Sequence, residues 1–378
     1  MSTKPGIVVE YFYPGSAEPN LLYTLPAGTV TGINWTGGRA NITDQWQGGS
    51  AVIFGRSPAS LTQAPVIGQA CRITVGTAGY SRAKFYGFIS DYRIIYGLLP
   101  AYDTFEITLE TVFGVTGRKN STITAVANAT TRDVVVSVNA LFPTAQIGVG
   151  SGYASSTSAQ TITGQVSNAL VTAMNTEGGY VYESGYDDIP PAGFTPTSVF
   201  TGRYNDQFGT TLCTFSDVTS DTPSDTMLRY SEIEFRSAAY NLGTQVTVSA
   251  SGLADQSAGS GTYAQNISTI NSTTSDALNL ANYLQVKYNY SSTVPYSITT
   301  TGSMNTTSAI FVCATGYVGR MVTVKFRGTT YSCIIEGVQF SANATDWHLQ
   351  YTLSASVQTA FLRLDNPTLG TLNNNRLG

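Results

Sequence analysis

The sequence predicts a mainly β protein with inserted α+β segments, in which two similar small β-barrels lie at the N- and C-terminal ends. Three observations predict this fold. Most of the chain consists of short β-branched or aromatic runs, three stretches carry apolar residues at helical spacing, and the two ends contain similar blocks of strands. We expect an N-terminal β-barrel at 1–120, an inserted α+β domain at 121–200, a second mixed segment of strands and one helix at 201–300, and a C-terminal β-barrel and tail at 301–378.

The predicted strands are short and closely spaced. Gly, Pro, Asn and Ser separate them, which is typical of barrels and sandwiches. The pairs Gly37-Gly38 and Gly48-Gly49 predict tight turns that need positive φ. In the first third of the chain the predicted strands are Ile7–Tyr13, Thr29–Trp35, Ala51–Phe54, Cys71–Val75, Lys84–Tyr92 and Phe105–Val112.

Three helices interrupt the strands. Thr131–Phe142 has apolar residues at helical spacing between a Thr start and a Pro stop. A second apolar stripe runs from Val166 to Met174 and ends at Gly178-Gly179, and a third lies in Asp276–Tyr288 after Ser275 as N-cap. We expect all three stripes to pack on sheets as ordinary core faces.

Two segments are predicted to be loops and candidate domain boundaries. Pro190–Pro196 contains three prolines, and Leu253–Thr262 is rich in Gly and Ser and almost free of apolar residues.

A weak internal duplication relates the two ends of the chain. Each block contains a turn glycine, an alternating strand, a strand interrupted by one glycine, a turn aspartate and another alternating strand. A glycine inside a strand usually marks a bulge or a barrel corner. The first block has Gly68, Gly87 and Asp103 at these positions, and the second has Gly319, Gly337 and Asp346. A β-rich chain also offers such matches by chance. If the duplication is genuine, three chains would place six similar barrels in one ring.

Composition limits the classes of function. Charged residues make up 11% of the chain, less than half the usual share. A surface so poor in charge is weakly protected against association, so we expect partners to cover much of it. A secreted β-protein with a polar, uncharged coat is the alternative. The net charge of −4 and the lack of a basic run argue against a grip on nucleic acid, although DNA could pass transiently through a lumen.

The sequence predicts neither export nor membrane spanning. Residues 1–15 lack a signal pattern, and no stretch approaches 18 apolar residues. The cysteines Cys71, Cys213, Cys313 and Cys333 lie far apart, with no C-x-x-C pattern. We therefore expect buried free thiols rather than zinc ligands or disulfides.

An enzyme interpretation has few residues to draw on. His348 is the one histidine, and Asp346 would share its face of a predicted strand, yet nothing marks a nucleophile elbow. Glu232 and Glu234 alternate on one face of the predicted strand Met227–Phe235, and two neighbours on a strand satisfy the spacing of a glycosidase pair by accident. Their expected partners are Arg229 and Arg236.

Calcium binding and carbohydrate binding are two further interpretations, and each set of residues also has an ordinary structural explanation. Asp187-Asp188 could bind calcium, but no D-x-D-x-D-G loop surrounds the pair, so we expect solvated turn residues. The 23 tyrosines and three tryptophans could stack on carbohydrate, although Tyr is equally a strand former and an interface residue. The sequence therefore predicts no catalytic residue, no metal and no cofactor, and it identifies no interface residue.

The order of these motifs resembles a known family over nearly the whole chain. The motifs are the opening Gly32–Arg39 and Asp44–Ala51, the strands around Gly68 and Gly87, the segment Glu177–Glu183, the helix Asp276–Tyr288 followed by Val294–Tyr296, and the ending Phe361–Gly370 and Asn375–Gly378. Together they resemble the minor tail proteins of long-tailed phages that infect actinobacteria. Those proteins are similar to the baseplate hub, or tail-tip hub, proteins of contractile phages and type VI secretion spikes.

The resemblance implies a virion structural protein of the tail tip, assembled in the host cytoplasm. It implies a homotrimeric ring that joins the tail tube to the distal tip and allows DNA to pass. The implied partners are a distal tail protein, the tail tube or tape-measure protein, and tip or fibre proteins. It implies no catalytic residues. The alternatives are a hexameric distal tail ring protein, a receptor- or glycan-binding tail module, and a cell-wall hydrolase.

Overall fold

The computed structural model describes residues 6–13, 21–39, 46–77, 80–142, 147–184, 197–203, 211–224, 226–236, 245–259, 264–288, 293–306, 309 and 318–355. The described residues form a mainly β fold with four α-helices. The strands are β1 Gly6–Phe12, β2 Leu21–Thr24, β3 Val30–Gly38, β4 Gln47–Arg56, β5 Ala70–Thr77, β6 Tyr80–Ile95, β7 Thr104–Glu110, β8 Asn120–Ala125, β9 Ile147–Val149, β10 Gln160–Gln165, β11 Tyr180–Ser184, β12 Thr197–Thr201, β13 Thr211–Ser216, β14 Met227–Leu228, β15 Glu232–Arg236, β16 Gln245–Ala250, β17 Gln256–Gly259, β18 Ala264–Thr269, β19 Val294–Thr301, β20 Met321–Phe326, β21 Thr329–Asn343 and β22 Trp347–Ala355. The helices are α1 Val112–Thr116, α2 Thr131–Asn139, α3 Val166–Glu177 and α4 Thr274–Tyr288.

The first seven strands form one curled sheet, called here the N-terminal sheet. Their order is β3-β4-β7-β6-β5-β1-β2, and every neighbouring pair is antiparallel. The sheet is curled, since β1 also contacts β3 although four strands lie between them in the sheet order. Buried alternate residues of β7, Phe105, Ile107 and Leu109, fill its interior.

The C-terminal sheet has the same strand order. It runs β15-β19-β22-β21-β20-β13-β14, which matches the N-terminal sheet strand for strand in chain order. It is also curled, since the ring of Phe235 in β15 lies 4.9 Å from that of Phe326 at the end of β20. One difference is the direction of β13, which is parallel to β20 whereas β1 is antiparallel to β5. The predicted similarity of the two ends is therefore present in the topology.

Hydrogen bonds around the turn glycines repeat in the two sheets. The amide of Gly68 donates to the carbonyl of Ile89 at 2.7 Å, and the amide of Gly319 donates to Ile335 at 2.8 Å. Each isoleucine amide then donates, at 2.9 Å, to the carbonyl of the residue that follows the glycine. Both glycines have positive φ, 84° and 89°, a conformation that other residues rarely adopt. The sequence match between these two glycines is thus a structural match.

The match between the second glycines is wrong. Gly87 lies opposite Cys71, and the residue in its place in the C-terminal sheet is Cys333. Gly337 directly follows a β-bulge in β21, where the N-terminal sheet has Asp91. The spacings between the two glycines, 19 and 18 residues, are similar only because the β5–β6 hairpin is longer and contains an extra irregularity. The turn aspartates are likewise displaced by one residue along the strands that follow them.

The inserted segments pack beside the two sheets. α2 and α3 pack on each other, α2 contacts β8 and β9, and α3 contacts β10. A second small core joins α4 to β16 and β17 through seven buried residues, Val246, Val248, Ala258, Ala277, Leu280, Ala281 and Leu284. The predicted helical stripes are thus core faces that pack on sheets. No helix among the described residues is long and apolar enough to cross a membrane.

Some element predictions are wrong in detail. Val112 begins α1 instead of ending a strand, and α2 ends at Asn139 rather than at Phe142. Gly48-Gly49 lies inside β4, whereas Gly38 has the expected positive φ of 86°. The predicted loop at 253–262 contains β17, which polar residues form by pairing with β16. Pro190–Pro196 lies outside the described residues.

The predicted domain boundaries stay a prediction. β13, β15 and β19 come from the range 201–300, and they pair within the sheet that β20 to β22 complete.

Candidate functional site at the junction of the two sheets

The two sheets join through one antiparallel strand pair. β21 pairs with β20 before its bulge at Glu336, and after the bulge it pairs with β3 of the N-terminal sheet, from Gly337 opposite Gly38 to Asn343 opposite Gly32. A Cβ atom on Gly38 would lie 2.3 Å from the carbonyl oxygen of Glu336. Only glycine allows this approach, so the junction depends on it.

A buried ion pair closes the junction. Nε and Nη2 of Arg39 each lie 3.1 Å from Oε2 of Glu336, and the two side chains are 5% and 2% exposed. The Arg39 amide also donates to the Glu336 carbonyl at 2.9 Å. Ser354 donates to Oε1 of Glu336 at 2.7 Å, and Tyr180 donates to it at 3.4 Å. Both sheets and the inserted β11 therefore meet at one carboxylate.

Aromatic residues cover this ion pair. The guanidinium of Arg39 lies 4.1 Å from the centre of the Trp46 ring, within the range of a cation–π contact. The same tryptophan meets Tyr180 edge to face, with ring centres 5.9 Å apart. Because a buried charge is costly without partners, this packing makes the junction specific to its two charged residues.

A second buried carboxylate lies in β11. Glu183 accepts a hydrogen bond from Ser198 at 2.6 Å, and Ser198 accepts the amide of Phe113 in α1 at 2.9 Å. Burial raises the pKa of the Glu183 carboxyl to about 7, and the hydrogen bond from Ser198 opposes this rise. This carboxyl links the inserted β11 and β12 to the helix that follows β7.

A third buried carboxylate, Glu177, ends α3. It accepts the hydroxyl of Thr131 at 2.7 Å and the amides of Ala154 and Ser155 at 2.9 and 3.0 Å. Arg203 donates to its backbone carbonyl at 2.7 Å. All three carboxylates are bound by donors of their own chain, which is the arrangement of structural polar networks rather than of a catalytic cleft.

A cavity of about 270 Å³ lies at the bulge of β6. Its lining includes Ser90, Glu110 and Arg118. Ser90 is the bulge residue of β6, as Glu336 is of β21. On the neighbouring strand, Glu110 follows Leu109, the partner of Ile89, as Ser354 follows Leu353, the partner of Ile335. The N-terminal sheet therefore has a hydroxyl at the bulge and a carboxylate on the next strand, and the C-terminal sheet has the reverse arrangement. The cavity therefore occupies the place that the Arg39 junction fills in the C-terminal sheet.

The candidate catalytic residues do not come together as a site. His348 is exposed on β22, and the carboxylate of Asp346 caps the turn before it by accepting the amides of Ser303 and Trp347 at 3.1 and 2.8 Å. Asp187-Asp188 lies outside the described residues. Over the ranges given above, no group of three or more His, Cys, Asp or Glu side chains is placed to hold a metal ion.

The carboxylate pair of β15 is a surface feature. Glu234 forms the expected ion pair with Arg236 at 2.8 Å, and both side chains are exposed. Arg229 instead donates to backbone carbonyls, among them that of Val218 at 2.6 Å. Cys71 and Cys333 are buried free thiols, as expected, Cys213 is buried in β13, and Cys313 lies outside the described residues.

Sequence reasoning missed the junction itself. Arg39 and Glu336 each belong to a block whose pattern indicates a strand, but 297 residues separate them and nothing local indicates that they pair. The signal that could have found Glu336 is a charged residue inside the otherwise apolar run Cys333–Val338, which needs a buried partner, whereas Arg39 follows two glycines and carries no such signal.

The fold matches that of solved tail proteins. A tail protein from Neisseria meningitidis aligns with a TM-score of 0.60 and 12% identity over 93% of this chain and 97% of that one. A 43 kDa prophage tail protein from Shewanella oneidensis aligns with a TM-score of 0.54 and 13% identity over 92% of this chain and 98% of that one. An Escherichia coli type VI secretion component, described as structurally similar to bacteriophage T4 tail proteins, aligns with a TM-score of 0.55 and 12% identity over 93% and 77%.

These comparisons confirm the predicted mainly β, tail-hub-like fold. No known family profile matches the sequence, and no curated protein matches it. At 12–13% identity the likeness establishes the fold. The fold is the one that these solved tail proteins and the secretion component share, and the likeness to actinobacterial phage proteins stays a prediction.

Proposed function

We propose that this chain is a structural protein of the phage tail tip. In this proposal it is a hub-like ring subunit, present as a homotrimer, that joins the tail tube to the distal tip apparatus. The observation that carries the proposal is the repetition of one strand order in two sheets of a single chain. Three such chains present six similar sheets around an axis, which is how a threefold tip can match a sixfold tube.

The proposed mechanism is assembly without chemistry. The buried carboxylates hold the two sheets and the insert in fixed positions, and strand edges and apolar surface provide the contacts between subunits. With a net charge of −4 and no basic run, the ring would let DNA through without binding it. Its neighbours would be a distal tail protein, the tail tube or tape-measure protein, and tip or fibre proteins.

The tyrosines are divided between the core and the surface. Tyr11, Tyr86, Tyr180 and Tyr351 are each no more than 2% exposed, so they serve the core and cannot stack on sugars. Tyr96 and Tyr102 are 77% and 66% exposed at the β6–β7 hairpin, and we assign these rings to contacts with a partner protein, for which Tyr is well suited.

Copy number tests the proposed function. Quantitative mass spectrometry of intact tails, calibrated against the tape-measure protein, is expected to give three copies for each tail. Six copies would identify a distal tail ring protein instead, and absence from purified tails would contradict a virion role altogether.

A further inference from the structure

The two long strands β6 and β21 are counterparts that differ in one respect. Beyond its bulge, β21 pairs with β22 on one side and with β3 on the other. Beyond its bulge, β6 pairs with β7 on one side. No strand of the described residues pairs with the other side of Asp91–Ile95, which is called here the open edge.

The counterpart of β3 in the C-terminal sheet is β15, and each is the first strand in the order of its own sheet. Ile33 of β3 pairs with Ile53, as Ile233 of β15 pairs with Ile298 in the matching strand β19. β3 is covered on its other side by β21. Among the described residues β15 pairs with β19 alone.

Apolar side chains along the open edge are more exposed than their counterparts in β21. Beyond the bulge of β21, the side chains of Val338, Phe340 and Ala342 are 2%, 2% and 4% exposed. Counted from the bulge of β6, their counterparts are Tyr92, Ile94 and Tyr96. The first two are half-buried and Tyr96 is 77% exposed. Large apolar side chains on β6 are thus partly exposed at the positions where β3 buries their counterparts in the C-terminal sheet.

The apolar side chains of β15 are likewise less buried than those of its counterpart β3. Ile33 and Trp35 of β3 are 1% and 3% exposed, whereas Ile233 and Phe235 of β15 are only half-buried. Among the described residues, the open edge and β15 therefore each lack the paired strand that β21 and β3 provide for each other.

We propose that β15 of one copy adds to the open edge of β6 of the next copy, repeating between chains the β21–β3 junction within the chain. The occupant of the open edge is thus a second copy of this protein. This inference rests on the proposed ring and names the interface that closes it. Each copy offers one open edge and one β15, so the contact is head to tail, and it closes as a ring if the rotation between neighbouring copies is the threefold one of the proposed trimer.

The register follows from the junction within the chain. Phe340, the fourth residue after the bulge of β21, lies opposite Trp35. The corresponding residues place Ile94 opposite Phe235 of the next copy. One residue further, Ile95 lies opposite Glu234 of the next copy. Ile95 is 46% exposed and Glu234 is exposed in the single chain, so this outer pair is accessible until copies meet.

Charges at the interface are already balanced. The same register places Arg93 opposite Arg236 of the next copy. Arg93 forms an ion pair with Glu106, with Nε to Oε2 at 2.8 Å, and Arg236 forms one with Glu234 at 2.8 Å. The two arginines would therefore meet as neutralised pairs rather than as bare like charges.

The interface between copies differs from the junction within the chain at the bulge. Where the junction has the buried Arg39–Glu336 pair, the open edge has the cavity of about 270 Å³ at Ser90. Its carboxylate, Glu110, is bound to Arg118 of the same chain. The contact between copies therefore lacks the buried ion pair and depends on apolar burial and backbone pairing.

Mixed cysteine variants test the register. Ile95→Cys and Glu234→Cys are prepared separately, mixed and oxidised. Cα atoms of opposed antiparallel residues lie about 4.5–5.5 Å apart, within disulfide range. We expect a covalent dimer in the mixture and at least a tenfold lower yield from either variant alone. Each variant carries only one of the two introduced cysteines, so a disulfide between these two positions can form only between copies.

The control replaces Glu234→Cys with Leu21→Cys. Leu21 is 52% exposed on β2, another edge of the same chain, and the register gives it no contact with Ile95. Native mass spectrometry of each mixture reports the assembly state. A trimer that links Ile95→Cys no better to Glu234→Cys than to Leu21→Cys overturns this interface and leaves the proposed ring. A chain that stays monomeric at all concentrations overturns both.

Discussion

At the residue scale, a few buried polar side chains connect the parts of the molecule. Arg39 and Glu336 tie the two sheets to each other, Glu183 ties the insert to α1, and Glu177 ends α3. Removing one partner of a buried pair leaves an uncompensated charge, whereas removing both costs less. The junction is therefore the most sensitive point of the single chain.

The junction makes a quantitative prediction. Arg39→Met should lower the free energy of unfolding by about 3–5 kcal/mol, because it leaves Glu336 buried without its cation. The double variant with Glu336→Met should recover part of this loss. Urea unfolding followed by tryptophan fluorescence measures both. The matched control is Arg118→Met, which removes a half-exposed ion pair with Glu110 and should cost no more than about 1 kcal/mol. Equal costs for the two single variants would contradict the role of the junction.

Glu183 makes the chain sensitive to pH. Burial raises its folded-state pKa to about 7 from an ordinary value of 4.5, so the folded state favours the neutral carboxyl. Its contribution to stability is fully present below pH 4.5 and is lost as the pH rises through 7.

The matching variant isolates this effect. Glu183→Gln keeps a group that can accept the hydroxyl of Ser198 and cannot ionise. Between pH 4.5 and pH 8.5 the stability of the wild type, relative to this variant, should fall by about 3 kcal/mol. Denaturant titrations of both proteins across this range measure the difference. A difference that does not change with pH would refute the assignment.

At the scale of elements, the β6–β7 hairpin stands out. Its tip carries Leu98, Leu99 and Tyr102 at 96%, 54% and 66% exposure. The tip is ordered by its own hydrogen bonds, since the Gly97 amide donates to the carboxylate of Asp103 at 2.9 Å and the Tyr102 amide donates to the carbonyl of Leu99 at 2.8 Å. The corresponding β21–β22 turn is short and polar.

The hairpin tip extends the apolar surface of the open edge. Replacing Leu98 and Leu99 together by Ser should leave the melting temperature within about 2 °C, because exposed side chains contribute little to folding. The same variant should weaken association of copies at least fivefold in sedimentation experiments. The control is Leu21→Ser together with Val126→Ser, two residues of similar exposure that belong neither to the open edge nor to the lining of its cavity. Unchanged association in the hairpin variant would show that the tip does not contribute.

Elements were predictable where local physics decides them. α3 has an apolar stripe and ends at Gly178 with a φ of 64°, so its bounds follow from the sequence. β17 was missed because its four residues, Gln256–Gly259, carry no strand pattern and gain order from the neighbouring strand. The second glycine match failed because an irregularity and a longer hairpin shift the register by several residues while the spacing between the glycines changes by only one. The ion pair at the junction could not be predicted, since only tertiary structure joins β3 to β21.

At the scale of the whole molecule, one chain contains the same sheet twice. β3 of the N-terminal sheet pairs with β21 of the C-terminal sheet, whereas its counterpart β15 pairs with β19 alone among the described residues. In the proposed ring, each copy supplies the strand that its neighbour lacks. The low content of charged residues, 11%, agrees with a surface that partners cover.

Rotational symmetry is the most direct test of this account. Class averages of the purified, assembled chain in negative-stain electron microscopy should show a closed ring of six similar lobes with threefold symmetry, two lobes for each copy. Particles with one lobe pair only, or rings in which the number of lobes equals the number of copies, would contradict it.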